Sequence, residues 1–238
     1  MDSVRPASDR DPGRRFVLNY PVPFKRFTLL TAVTAALLLF APPALGRITE
    51  LGQTTAVNPP SCPKFPCLAV SRTTGYQAKV GPSRGLFVAP RDGRIVAWTI
   101  SLGKVGPKQR AFFEKNYGGP ASAGLAILRP GKKLFARIVA QSSIFHLTKW
   151  FGQTVQFGLS HSLIIHKGEV VGLTVPTWAP ALAVGLGNDT SWRASRKAKS
   201  CRDTQTQTAQ QTVGSLAQYL CLYRTARLTY SATIVSTP

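Results

Sequence analysis

The chain has 238 residues, 44% of them hydrophobic, with 30 Lys and Arg against nine Asp and Glu and a formal charge of +21. That apolar share is enough for a core. So few carboxylates argue against a carboxylate-rich calcium site and leave little material for the paired acids of glycoside hydrolysis. The positive field favours polyanions: acidic polysaccharide, cell-wall phosphate polymers, nucleic acid or anionic lipid.

In chain order, the first element is an exported-protein address. Lys25-Arg26 precedes fourteen uncharged residues, Phe27–Phe40, and then APPALG, so residues 1–46 read as a signal peptide with Ala44-x-Gly46 as its cleavage site. A spanning helix wants about 20 apolar residues, which makes retention as an anchor the weaker alternative. Arg14-Arg15-Phe16 has the look of a twin-arginine signal, but it lies too far ahead of the apolar run to carry weight. Residues 47–61 are polar, end in Pro59-Pro60-Ser61, and read as a flexible leader into one domain over 62–238.

Beyond residue 46 the chain keeps 24 Lys and Arg against six Asp and Glu, and all four cysteines. An even cysteine count in an exported chain reads as two disulfides with three possible pairings. The local one, Cys62–Cys67 and Cys201–Cys221, is the simplest. Metal ligation is the rival, but the run from Cys62 to Cys67 lacks C-x-x-C spacing and no His lies near any Cys.

From Cys67 onward short apolar runs alternate with turn residues. Runs 85–90 and 94–102 flank Arg91-Asp92-Gly93, runs 123–130 and 134–141 flank 131–133, and runs 154–166 and 169–176 flank Lys167-Gly168. Each pair reads as a hairpin. Residues 219–224 and 226–235 read as a final pair of strands, with Leu228, Tyr230, Ala232 and Ile234 on one face; in 94–102, Val96, Trp98 and Ile100 share another. Helical periodicity is confined to a turn or two at 108–118 and near Leu216–Tyr219. The expected fold is all-β, an antiparallel β-sandwich of jelly-roll type with short or no helices.

The runs FVAPRDGRIVAW (87–98) and IIHKGEVVGLTVP (164–176), continued by TVPTWAPALA (174–183) and SWRASR (191–196), resemble exported jelly-roll β-sandwich proteins predicted in high-GC Gram-positive bacteria. That group has no assigned activity. The resemblance implies a jelly roll and carries over no catalytic residue.

Candidate chemistry is sparse. His161 and His166 are five apart and would point to opposite faces of one strand; with His146 they make no shared metal site, and none is expected. Ser160, in Gly158-Leu159-Ser160-His161-Ser162, lacks the second glycine and the strand–turn–helix context of an esterase elbow. Asp92 and Glu169 have local roles in turns, and Asp189 and Asp203 fall in loops. Trp178, bracketed by Pro176 and Pro180, reads as a rigid loop residue that either stacks on a sugar ring or caps the core. Trp192 leads into Arg193, Arg196, Lys197, Lys199 and Arg202, a cationic stretch suited to phosphate, sulfate or uronate groups, or else a solvated loop.

The expected function is an exported, non-catalytic binding protein for anionic polysaccharide or cell-wall polymer, with Trp178, Trp192, Arg193, Arg196, Lys197 and Lys199 as ligand residues. No cofactor, no nucleic-acid partner and no membrane contact beyond the signal segment are expected. A polysaccharide lyase is the enzymatic alternative, since β-elimination from uronates needs cations and a Tyr, His or Lys base but no carboxylate pair. A structural or partner-binding surface protein is the third reading.

Overall fold

In the computed structural model, residues 46–55, 58–197 and 199–236 are described. The exported-protein address, up to residue 45, lies outside them. In chain order the elements are β1 (Ile48–Leu51), β2 (Val70–Val80), β3 (Ser83–Arg84), β4 (Gly93–Ser101), a helix α1 (Pro107–Tyr117), β5 (Ser122–Pro130), β6 (Phe135–Gln141), β7 (Phe145–His146) and β8 (Thr154–Ile165). The second half is all strand: β9 (Val170–Ala179), β10 (Leu182–Val184), β11 (Ser191–Ala194), β12 (Leu216–Gln218), β13 (Cys221–Arg224), β14 (Ala226–Leu228) and β15 (Tyr230–Ser236).

Two antiparallel sheets enclose one core. The smaller has the order β1-β15-β4-β8; the larger runs β12-β6-β5-β9-β2-β11-β13, with β3 on β2 and β7 on β5, and β10-β14 forms a separate ribbon. Alternation supplies the facing surfaces. Ile95, Trp98 and Ile100 of β4, with Tyr230, Ala232 and Ile234 of β15, are buried together with Leu125 and Ile127 of β5 and Val171, Leu173 and Val175 of β9. The all-β antiparallel expectation holds.

The smaller sheet departs from strict alternation at one point. Val96 faces a bulge: Ala97 pairs with Gly158 and Ile95 with Leu163, so the four residues Leu159–Ser162 of β8 stand opposite Val96 alone. The slip brings Ile95, not Val96, into phase with Trp98 and Ile100. The face expected from the sequence was therefore one residue out at its start.

Strand pairing corrects three of the expected hairpins. Only β5 and β6 form one, closed around Gly131. Residues 86–90 form no strand apart from a single bridge, Val88 to Val170. The turn at Lys167-Gly168 carries the chain from one sheet to the other, because β8 pairs with β4 whereas β9 pairs with β2 and β5. The final runs likewise part company: β13 joins β11, β14 joins β10, and β15 joins β1 and β4.

The described parts of segment 47–61 are tied to the domain rather than free. β1 adds to the edge of the smaller sheet beside β15, Glu50 accepts from the Ser231 and Thr233 hydroxyls, and Ser61 N–H bonds Leu182 O at 2.9 Å. Helix α1 runs three turns, opened by Pro107 at its first turn and ended by Gly118 at φ +90°. The stretch near Leu216–Tyr219, expected to be helical, is strand β12.

Both cysteine pairs close locally, Cys62–Cys67 and Cys201–Cys221. Metal ligation is overturned there, since a disulfide sulfur has no thiolate to offer.

Candidate functional site

The two tryptophans expected to meet a ligand are core residues. Trp178 is 0% exposed and lies in β9, not in a loop. Its indole donates to Gly119 O at 2.9 Å, and Phe113 and Phe151 pack on it at 4.8 and 5.5 Å. It closes one end of the sandwich. Pro176 is tolerated in this strand because the ladder breaks there: Val175 pairs with Thr73 and Trp178 with Ser71, leaving Arg72 opposite a bulge. Trp192, 3% exposed, sits in β11 between β2 and β13 and stacks on Tyr223 at 4.5 Å.

The cationic stretch divides. Arg196 is buried and acts as a clamp: one guanidinium nitrogen donates to Ser71 O at 2.7 Å, the other to Cys201 O and the Tyr223 hydroxyl. It fastens the disulfide-tied loop 202–215 to the larger sheet. Arg193 donates to Tyr219 O at 3.1 Å. Lys197 and Lys199 stay exposed, and Lys197 lines a cleft of about 530 Å³ with Gln207, Gln210, Gln211 and Gln218. These residues do not converge on one aromatic-lined site.

The carboxylates have local roles. Asp92 accepts from Lys167 N–H at 2.7 Å, a bond that, with the neighbouring His166, lowers its pKa. Glu169 accepts from Arg129 and from His166 N–H. Asp203 holds the start of the Gln/Thr-rich loop through the Thr206 hydroxyl and the amides of Gln205 and Thr206, which pull its pKa far below the usual carboxylate range. Ser160 lies in the β8 bulge with its hydroxyl 3.3 Å from His161 Nδ1. Among the described residues no group of three or more His, Cys, Asp or Glu is placed to hold a metal.

The concavity with the richest chemistry lies elsewhere, along the sandwich edge where β7 faces β8. Leu147, fully buried and bonded through its N–H to Ala121 O, anchors a tight turn at 148–150 that presents Trp150. One half of the groove, about 620 Å³, is lined by Phe145, His146, Lys149, Trp150 and Phe157. Lys149 Nζ stands 4.8 Å from the centroid of the half-buried Trp150 ring. Phe145 and Phe157 stack at 4.6 Å on the core side, backed by Trp98. At Phe145 the groove meets a smaller polar cleft lined by Gln141, Ser142, Ser143, Ser160 and His161. The β8 bulge builds that second half by turning Ser160 and His161 out of the ladder.

These two adjoining depressions, which share Phe145, offer aromatic surface and a cation in one and hydroxyl and amide groups in the other. Sequence reasoning missed it because Phe145 and Trp150 flank two short, irregular elements with no periodicity. The one available signal was the Lys149-Trp150 dipeptide beside His146.

A second concavity, about 340 Å³, mixes hydroxyl groups with the rings of Pro59, Pro60 and Tyr230. Thr99, Ser101, Thr154 and Ser231 line it, and the largely buried Arg227 donates from there to Gly52 O, Thr54 and Asn58, tying the segment after β1 to β14. Burial lowers the Arg227 pKa.

Compared with known proteins, the chain matches no family model, no curated protein and no solved structure.

Proposed function

We propose that the protein is a non-catalytic, extracytoplasmic binding protein for acidic glycans, with the β7–β8 groove as its site. The two disulfides support an oxidising compartment. One observation carries the reading: a lysine ammonium set over a partly buried tryptophan, in a groove floored by two stacked phenylalanines. Sugar rings present an apolar C–H face that suits Trp150 and Phe145. A uronate carboxylate or sulfate on the same ring then meets Lys149, while the hydroxyl-lined half accepts the next residue of the chain. The overall positive field draws a polyanion toward the surface and speeds encounter.

Titration of the protein with an acidic polysaccharide such as polygalacturonate, at low and high salt, tests this. Trp150→Ala and Lys149→Ala are each expected to weaken binding by about tenfold, or about 1.4 kcal/mol, and a neutral polysaccharide should bind less tightly. If both variants bind as the parent does, the groove is not the site. His146 and His161, one in each half of the groove, keep the lyase reading open. Appearance of ultraviolet-absorbing unsaturated products during the same titration would replace binding with β-elimination.

A further inference from the structure

The Cys62–Cys67 loop ends in an exposed aromatic knob. Phe65 is 98% exposed, far more than any other large apolar side chain among the described residues. Its pedestal is fixed. The disulfide closes a six-residue ring, Cys62 is buried, Ser61 N–H bonds Leu182 O, and Gly103 approaches so closely that a Cβ there would stand 2.7 Å from Cys62 Cβ. A folded protein normally hides a phenyl ring when it can, and here the constrained backbone holds it out.

Backbone chemistry suits the tip to a medium poor in hydrogen-bond partners. Pro63 and Pro66 have no N–H, and Leu68 has both its N–H and its carbonyl bonded to the Ser61 hydroxyl. Two of the six residues in the ring therefore have no amide donor to desolvate when the loop is buried. Leu68, 43% exposed, extends the apolar patch. Lys64 adjoins Phe65, and Lys104 follows the glycine packed on the loop's base. An exposed phenyl ring with a lysine beside it fits a soft anionic surface, where apolar tips enter the headgroup–acyl boundary and cations meet lipid phosphates.

We propose that the Phe65 loop inserts into anionic lipid bilayers, docking the domain on a membrane surface. This goes beyond the glycan reading and does not depend on it. Burial state decides the matter, which explains why the amino-acid order gave no such expectation for the mature part.

The test reads position 65 itself in the full chain, so that apolar residues 27–40 cannot imitate the result. Phe65→Trp and, as control, Ile164→Trp each add one indole; Ile164 is 51% exposed and pairs with Arg94 at the far end of β4 from Gly103. Both are mixed with vesicles of phosphatidylcholine containing phosphatidylglycerol and brominated acyl chains, and the parent signal is subtracted. The indole of Phe65→Trp should shift to the blue and be quenched several-fold more than that of Ile164→Trp. Pure phosphatidylcholine, or Lys64→Glu introduced beside Phe65→Trp, should abolish the difference. Equal quenching at both positions, no quenching at position 65, or quenching that ignores the anionic lipid would overturn the proposal.

Discussion

Arg196 shows how a residue type misleads when its surroundings are unknown. In a run of cations it reads as a surface charge, yet it is buried and its two terminal nitrogens donate to Ser71 O, Cys201 O and the Tyr223 hydroxyl. Replacing it by Leu removes the donor to Ser71 O and leaves Cys201 O and the Tyr223 hydroxyl with only their bond to each other. We expect a loss of about 1–3 kcal/mol in denaturant unfolding, the cost of one buried group left unpaired. Protease should then cut within 202–215 before the sheets unfold. If Arg196→Leu leaves both the midpoint and the cleavage pattern unchanged, the clamp is not structural. Trp178 teaches the same lesson from the other side. Two flanking prolines marked it as a loop residue, but Pro176 sits in a bulge of β9 opposite Arg72, where the ladder is interrupted.

At the scale of elements, local chemistry identified strands better than partners. Alternation in 226–235 placed Leu228, Tyr230, Ala232 and Ile234 on the buried face, and Gly131 closed the β5–β6 hairpin. Those features depend on neighbours a few residues away. The pairings of β8, β9, β13 and β15 depend on partners far along the chain, where no turn dictates register, so they could not be read. The β8 bulge was equally hidden, because Gly158-Leu159-Ser160-His161-Ser162 looks like any polar interruption until Val96 is set opposite it. The groove inherits that obscurity: its residues come from a two-residue strand, a tight turn and a bulge. The Cys201–Cys221 bond was legible, and its role can be measured. Its cysteines are 20 apart in sequence, and the span between them covers Ser71, Thr74 and Ile138 of the larger sheet. Changing both cysteines to Ser should cost about 3 kcal/mol on the chain-entropy view, with loop protease sensitivity rising in step. Full stability without the bond would mean that Arg196 and Asp203 suffice to hold the loop.

For the whole molecule, charge and burial act on different ends of the pH range. Cations crown both ends of the sandwich, Arg84, Arg91 and Lys167 at one and Lys64, Lys104 and Lys197 at the other, so the field is global and selectivity must come from contact. Tyr76, Tyr219 and Tyr230 are phenols whose pKa burial pushes above 10.0, with nearby tyrosines adding to the effect at the last two. A folded pKa above the unfolded one means the folded state holds that proton more tightly. The stability this contributes is complete below about pH 10 and is lost as pH rises beyond it. Ultraviolet titration should therefore show these tyrosines un-ionised through the ordinary phenol range, then ionising together as the protein unfolds. Smooth ionisation of every tyrosine near pH 10, with the fold intact, would contradict their burial.

The pairing of β1 with β15 has a temporal consequence. Strand 48–51 can take its place only after strand 230–236 lies beside it, and that strand must first wedge between it and β4. Strand 48–51 is made long before strand 230–236, so the smaller sheet stays incomplete until residues 230–236 have been made. The same adjacency of first and last strands makes the domain a natural candidate for rejoining its ends and opening it at the 131–133 turn.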